Sequence, residues 1–235
     1  MSTSGIYSVQ YTSDQLTEAA LRKLGVLADG QTPSTTNYTN GRVAQNSLIA
    51  ELRSMKLPLW KRATYSFSPV AGTYVYQIGT SKTLNTPYPL HVLQAYRQDS
   101  ANTTKIPMQV VSNYDFNQYP LNSGGYPLQL TYQPFVGYGE IKVWPVPDAS
   151  AAANSVIYVV YQEPFQYMTS GSDTIDFPEE YYNPIIYRLA VLLAPEWGIP
   201  LQDRQLLRQE AQEMMDRVMS FGEEDGSLFF EPRRR

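Results

Sequence analysis

Apolar residues change their spacing twice along this chain of 235 residues, and that change limits the folds open to it. From Thr12 to Leu57, and again from Asn183 to Phe221, they recur every three or four residues, the period of a helix with one buried face. Between about Ala63 and Phe165 large and small residues alternate, the period of a strand. A helix pattern does not settle into a sheet, or the reverse. The sequence therefore predicts an α+β protein: a bundle of about four helices, an inserted antiparallel β domain and an extended C-terminal arm.

The first helix is expected over Thr12–Leu27. Thr12 and Gln15 have capping-box spacing, Leu16, Ala20 and Leu24 form its stripe, and Gly25 stops it. The second is expected from about Gly41 to Leu57, with Ala44, Leu48, Leu52 and Met55 inward and Pro58 ending it. The two should pair as a hairpin. After the β region, Asn183 is expected to cap and Pro184 to open a third helix. Its run IIYRLAVLLA is apolar nearly all round, with Ile185, Leu189 and Leu192 marking one face. Pro195 and Gly198 should close it. The last helix should run from near Pro200 to Phe221, with Leu207, Ala211, Met214, Val218 and Phe221 as a packing seam. Leu189, Leu192, Leu207, Met214, Val218 and Phe221 are the candidates for helix packing or contacts between copies.

In the middle, TYSFSPVAGTYVYQIG, IKVWPVP and SVIYVVYQEP read as strands, separated by TPYPL, SGGYPL and QPFVGYG. The 17 prolines fit many interrupted elements, and the 19 tyrosines suit strands and wet interfaces. A small sandwich or barrel is expected. Tyr65, Phe67, Tyr74 and Tyr76 should mark one face of it, buried or cross-strand; the competing reading is a sugar-binding platform.

Several function classes find no support. Cysteine is absent, which excludes disulfides and thiol chemistry. The net charge is −4, which argues against tight sequence-independent DNA binding. No apolar run approaches the roughly 20 residues of a membrane span. MSTSGIYSVQYTSD lacks the pattern of a signal peptide, so none is expected.

Catalytic signals are sparse. His91 stands alone among β-forming residues and is expected to be structural. Asp173, Asp176, Glu179 and Glu180 form the densest acidic group outside the tail. Paired carboxylates can cleave glycosides, but acidic residues at a helix start also favour the helix dipole, and that reading is preferred. Gly137 and Gly139 precede a strand and should shape a turn or bulge; they form no dinucleotide fingerprint. No cofactor and no metal is expected.

The last stretch, EEDGSLFFEPRRR, sets three large apolar residues outside any helix or strand pattern. Burying Leu228, Phe229 and Phe230 could contribute about 1.5–3 kcal/mol each. Ordering the backbone around them costs roughly 1–2 kcal/mol per residue. Half of an interface whose other half is on another protein accounts for them. The alternative is that they pack onto the chain's own helices. Arg233, Arg234 and Arg235 are too few for strong phosphate binding at physiological salt.

The order of segments then becomes informative. ALRKLGVLADGQTPS is followed by a strand ending YQIG, by IPMQVVSNYDFNQYP and IKVWPVP, by DTIDFPEEYYNPIIYRLAVLLAPEWGIP, and finally by SLFFEP. Over nearly its whole length the chain resembles the head-to-tail adaptor family of short-tailed bacteriophages, also called tail accessory or head completion proteins. The resemblance implies a structural virion protein and no enzyme. Members form a dodecameric ring under the portal, extend the DNA channel and help retain packaged DNA. They also offer a platform to the tail nozzle and often to fibres. The arm that docks on the portal would be Ser227, Leu228, Phe229, Phe230, Glu231 and Pro232, with Arg233, Arg234 and Arg235 beyond. The family more often carries a tyrosine and a glutamine there, where this chain has Phe229 and Glu231.

The expected organisation is an N-terminal helical hairpin over 1–62, a β domain over 63–166, helices over 167–222 and the arm over 223–235. The expected location is the virion neck below the portal, after assembly in the host cytoplasm, with DNA passing unbound through the lumen. Two other readings compete: a cell-wall glycosidase of the tail, resting on the acidic group, and a carbohydrate-binding tail module, resting on the tyrosines.

Overall fold

The computed structural model describes residues 5, 9–54, 61–100 and 104–221, without the side chain of Phe221. In chain order its helices and strands begin with α1 (Ser13–Lys23), α2 (Thr35–Ser54), β1 (Arg62–Phe67), β2 (Val75–Ile78), β3 (His91–Asp99) and β4 (Lys105–Val110). They continue with α3 (Asn113–Phe116), β5 (Gly124–Gly125), β6 (Gln129–Phe135), β7 (Tyr138–Trp144), β8 (Val146–Pro147) and α4 (Ala149–Asn154). Last come β9 (Ser155–Gln162), α5 (Tyr182–Leu193) and α6 (Leu201–Phe221). The chain is thus mixed α+β, with six helices and a seven-stranded sheet among the described residues. It falls into two compact units, one drawn from Met1–Leu59 and Phe165–Arg235, the other from Trp60–Pro164.

In the helical unit, α1 opens on a complete set of caps. The Thr12 hydroxyl accepts from the Gln15 amide at 3.3 Å, and the Gln15 side chain accepts from the Thr12 amide at 3.0 Å. The Ser13 and Asp14 amides, which no helical turn can satisfy, donate to the carbonyls of Asp173 (2.8 Å) and Gly171 (3.1 Å). The helix start is therefore stitched to the chain returning from the β unit. Gly25 follows the last turn at φ +69°, as the stop signal predicts.

α2 starts at Thr35, earlier than the expected Gly41, because Ser34 caps it: its hydroxyl accepts the Asn37 amide at 3.2 Å. Gly41 lies inside the helix. A Cβ there would stand 2.9 Å from Thr17 Cβ, so glycine lets α1 and α2 approach closely. Beside it, Gln45 is almost fully buried. Its Nε2 donates to the Ser13 carbonyl (2.7 Å) and to Thr17 Oγ1 (2.9 Å), and its Oε1 accepts from Ser13 Oγ (2.8 Å). Leu48 and Leu52 are buried as expected, Ala44 is half-buried, and Met55 and Pro58 lie outside the described residues. Asn46 pairs with the Met168 backbone through both its amide groups, at 2.9 and 2.8 Å. The Arg53 guanidinium donates to the Phe165 carbonyl and covers the Tyr167 ring at 3.9 Å.

The third expected helix needs correcting at its start. A 3₁₀ turn over Glu179–Tyr181 leads directly into α5, so Tyr182 is the first helical residue and Asn183 does not cap it. The turn satisfies the leading amides itself, with Tyr181 donating to Pro178 and Tyr182 to Glu179. Pro184 still falls in the first turn, where its missing N–H costs nothing. α5 packs on α1, α2 and α6.

The sheet of the other unit runs β1-β9-β3-β4-β6-β7-β2 and curls so that residues from every strand share one core. Leu130, Ile141 and Ile157 are fully buried, each stabilising the unit by about 1.5–3 kcal/mol. The expected antiparallel domain departs from that pattern at one pair: β4 and β6 run parallel through Gln109↔Gln129 and Val110↔Leu130. Parallel pairing needs a crossover, and the segment between them supplies one with α3 and β5. Gly137 turns the β6–β7 hairpin at φ +84°. Gly139 sits in β7 opposite Pro134, where a Cβ would come within 2.7 Å of Tyr132 Cζ.

Gln45→Leu adds apolar area yet leaves the Ser13 and Thr17 hydroxyls without their partner. The variant should lose about 1–3 kcal/mol in urea unfolding. An unchanged or raised urea midpoint would show that the buried polar clamp does not hold the hairpin.

Candidate functional site

Among the described residues, those with catalytic chemistry do not converge. His91 opens β3 at an exposed position. Among the described residues, no group of three or more His, Cys, Asp or Glu is placed to hold a metal ion. None of the described helices is long and apolar enough to cross a membrane. An open groove of about 500 Å³ crosses the β3–β4 hairpin, walled by Leu93, Gln94, Tyr96, Lys105, Pro107 and Val110, with neither carboxylate nor histidine in its lining.

The acidic group divides by role. Asp173 is not at a helix start. Its Oδ2 accepts from the amides of Ser170 (2.7 Å) and Thr169 (2.7 Å) and from the Thr169 hydroxyl (2.9 Å), closing the turn whose carbonyls cap α1. Those bonds, Ser170 first, hold its carboxyl below the ordinary aspartate range. Glu179 and Glu180 do stand at the turn into α5, as the dipole argument asks. Glu179 Oε2 also accepts the Val9 amide at 3.2 Å.

The aromatic row does not form one open platform either. Phe67 and Tyr76 are buried with ring centroids 4.8 Å apart, and Tyr65 packs half-buried against their cluster. Tyr74 instead lines a small cleft with Phe116, Tyr119 and Lys142.

The helical candidates separate into inner and outer positions. Leu189 is fully buried, in a face made with Ile185, Ile186, Ala190 and Leu193. Leu192 lies outside that face and is 41% exposed, because the buried row steps from 189 to 193. On α6, Ala211 and Met215 are the buried centre, flanked by half-buried Leu207, Met214 and Val218. Met215 escaped the sequence reading, which stepped from 211 to 214 and 218. The side chain of Phe221 and the arm residues Ser227–Arg235 lie outside the described residues.

Leu192 borders a groove of about 270 Å³ between α5 and α6, completed by Arg188, Val191, Arg208, Ala211 and Gln212. Arg188 Nη2 meets Glu51 Oε1 at 3.0 Å. Its Nη1 is buried without a hydrogen-bond partner among the described residues. Leu201, on the same side of α6 as Arg208 and Gln212 by helical spacing, is 62% exposed. Arg188, with one guanidinium nitrogen paired and one unused, and the exposed Leu192 give the groove a mixed polar and apolar lining. The arrangement offers no nucleophile and no base.

A depressed folded pKa means that Asp173 contributes its stability above the unfolded value of about 3.9, and loses it as pH falls through the folded value. The thermal midpoint of the native chain should exceed that of Asp173→Asn most at neutral pH. The gap should close below about pH 4. A gap that persists to about pH 2 would show that the charge does not hold this turn.

Comparison with known proteins adds what geometry alone leaves open. No curated protein matches the sequence. A protein-family model does, that of the SU10 adaptor protein, over residues 11–232. The match starts at the residue before the Thr12 cap and runs through both units. The chain therefore belongs to the SU10 adaptor protein family, a family of phage structural adaptors.

Proposed function

We propose that this chain is a head-to-tail adaptor, a structural virion protein that joins the portal to the tail nozzle as a ring of twelve copies. It extends the DNA channel and helps retain the packaged genome. The observation that carries the reading is the family match across residues 11–232, which includes the segment Ser227–Pro232. The helical part acts as a four-helix bundle, the β unit as its inserted domain, and the residues after Gly222 as an arm that docks on the portal. Ring closure brings one face of each copy against a different face of the next. Leu192, exposed on α5, is suited to such a contact. A net charge of −4 suits a conduit that must pass DNA without gripping it.

Weak single arms add up in a ring, because each engaged arm raises the local concentration of the others. Deleting the residues after Gly226 should leave the thermal midpoint unchanged and abolish co-sedimentation with portal rings. Light scattering of the full chain mixed with portal should show a complex of defined stoichiometry. A truncated chain that binds portal as well as the full one would sink the arm reading.

A further inference from the structure

We infer that opposite sides of α6 are the two halves of a contact between copies of this chain, the acidic side of one copy seating in the α5–α6 groove of the next. The contact would serve the ring proposed above and rests on that reading for closure. Arg208 and Glu210 stand two residues apart on α6, about 200° round the helix, so they point to opposite sides. On one side Arg204 and Arg208 follow at a spacing of four, and Arg208 faces Arg188 and Leu192 of α5 across the groove. On the other side Leu206, Glu210 and Glu213 follow at spacings of four and three. Leu206 is 60% exposed there, an apolar knob among carboxylates, as Leu192 is an apolar wall among guanidinium groups.

Each side is unfavourable alone. Like charges three or four residues apart repel on a helix surface, and here Arg204 repeats the charge of Arg208 and Glu213 that of Glu210. Among the described residues Asp203, Glu210, Arg204 and Arg208 have no side-chain ion pair, and Glu213 accepts only from Gln209, at 3.0 Å. Arg188 Nη1 and Arg204 Nε are buried without an acceptor among those residues, so an occupant that brings carboxylates is favoured over an apolar one. The levels agree as well. Along α6, Glu210 lies about 3 Å from Arg208, and Asp203 about 1.5 Å from Arg204. Two copies of α6 side by side and parallel therefore bring both charge pairs together. Leu206 then comes within about 3 Å of the level of Arg208, where Leu192 borders the groove. Rotation about an axis along the helices gives this arrangement and repeats it from copy to copy. A two-fold contact through either side would set like charges against each other, so the charges select head-to-tail pairing. Arg217, one turn past Glu213, and Asp216, which accepts from Gln212 Nε2 at 2.7 Å, lie beyond these pairs toward the C-terminal end of α6.

The absence of cysteine makes a direct test clean. Full-length chain carrying both Leu192→Cys and Leu206→Cys is concentrated, oxidised mildly and separated by size without reductant. Both positions are exposed, and circular dichroism verifies folding. A head-to-tail contact joins the thiol at 192 of one copy to that at 206 of the next, so covalent species should extend past the dimer. Chains with either cysteine alone should stay largely monomeric, because the contact brings unlike positions together. In the double-cysteine chain, Arg208→Glu alone or Glu210→Arg alone should lower the yield of trimers and longer species about tenfold. The two together should restore it, since the charges are then exchanged across the same contact. Three results would overturn the inference: no species past the dimer, single-cysteine chains that dimerise as readily as the double one, or a yield that the charge reversals leave unchanged or lower without rescue. Co-sedimentation with portal rings is read separately. A chain that binds portal but forms no longer species refutes this contact and leaves the adaptor reading standing; rescued oligomers from a chain that ignores portal do the reverse.

Discussion

The helical unit is assembled from two stretches of chain separated by the whole of β1–β9, so its integrity depends on how the returning stretch is fastened to the first. That fastening is mostly backbone and amide chemistry. The first amides of α1 need acceptors that no helix can give them, and they find the carbonyls of Gly171 and Asp173. Asn46 pairs with Met168 much as a neighbouring strand would, and Arg53 takes the Phe165 carbonyl. Gly171 belongs to the same join: a Cβ there would stand 2.5 Å from Asp14 Cγ. Apolar burial against α5 supplies bulk stability, but these directional bonds fix the register in which the two stretches meet.

Buried polarity is concentrated where elements must be aligned. Gln45 sits between α1 and α2 with its amide fully used, and Gly41 beside it removes the side chain that would hold the helices apart. In the β unit Arg97 has a similar place. Its guanidinium pairs with Asp99 at 3.0 Å and stacks over Tyr126 at 4.5 Å. Burial also pushes the Tyr132 phenol far above its ordinary pKa, and its hydroxyl donates to the Pro89 carbonyl at 2.5 Å. These groups are satisfied locally, which is why they read as alignment and not as chemistry.

Much of this was legible in the sequence because it rests on local rules. Thr12 with Gln15, and Gly25 after the last turn, follow from backbone groups within a few residues, and the structure keeps them. The exchange of periods marked where strands replace helices. Other features were not legible, whether their partners lie near in the chain or far. Ser34 caps α2 across a stretch whose polar composition resembled a loop. The parallel β4–β6 pair arises from a crossover that looked like a string of turns. Asp173 seemed one of four acids at a helix start, and its actual partners are Thr169 and Ser170. The α5–α6 groove is made by two helices together, so Leu192 could be listed with Leu189 although one is exposed and the other buried.

The way the β unit begins and ends has a consequence for how such chains can diversify. Arg62 in β1 lies directly opposite Gln162 in β9, and the Glu163 amide donates to the Lys61 carbonyl at 2.9 Å. Its two ends are thus fixed side by side by their own ladder. The closure that a helical scaffold must supply at this point changes only slowly with the length of what lies between. Strands could be gained, lost or redecorated there over generations while the caps and clamps of the helices stayed under their own separate selection. A chain built this way can explore new outer surfaces at one address and keep the caps and clamps of its helices unchanged at another.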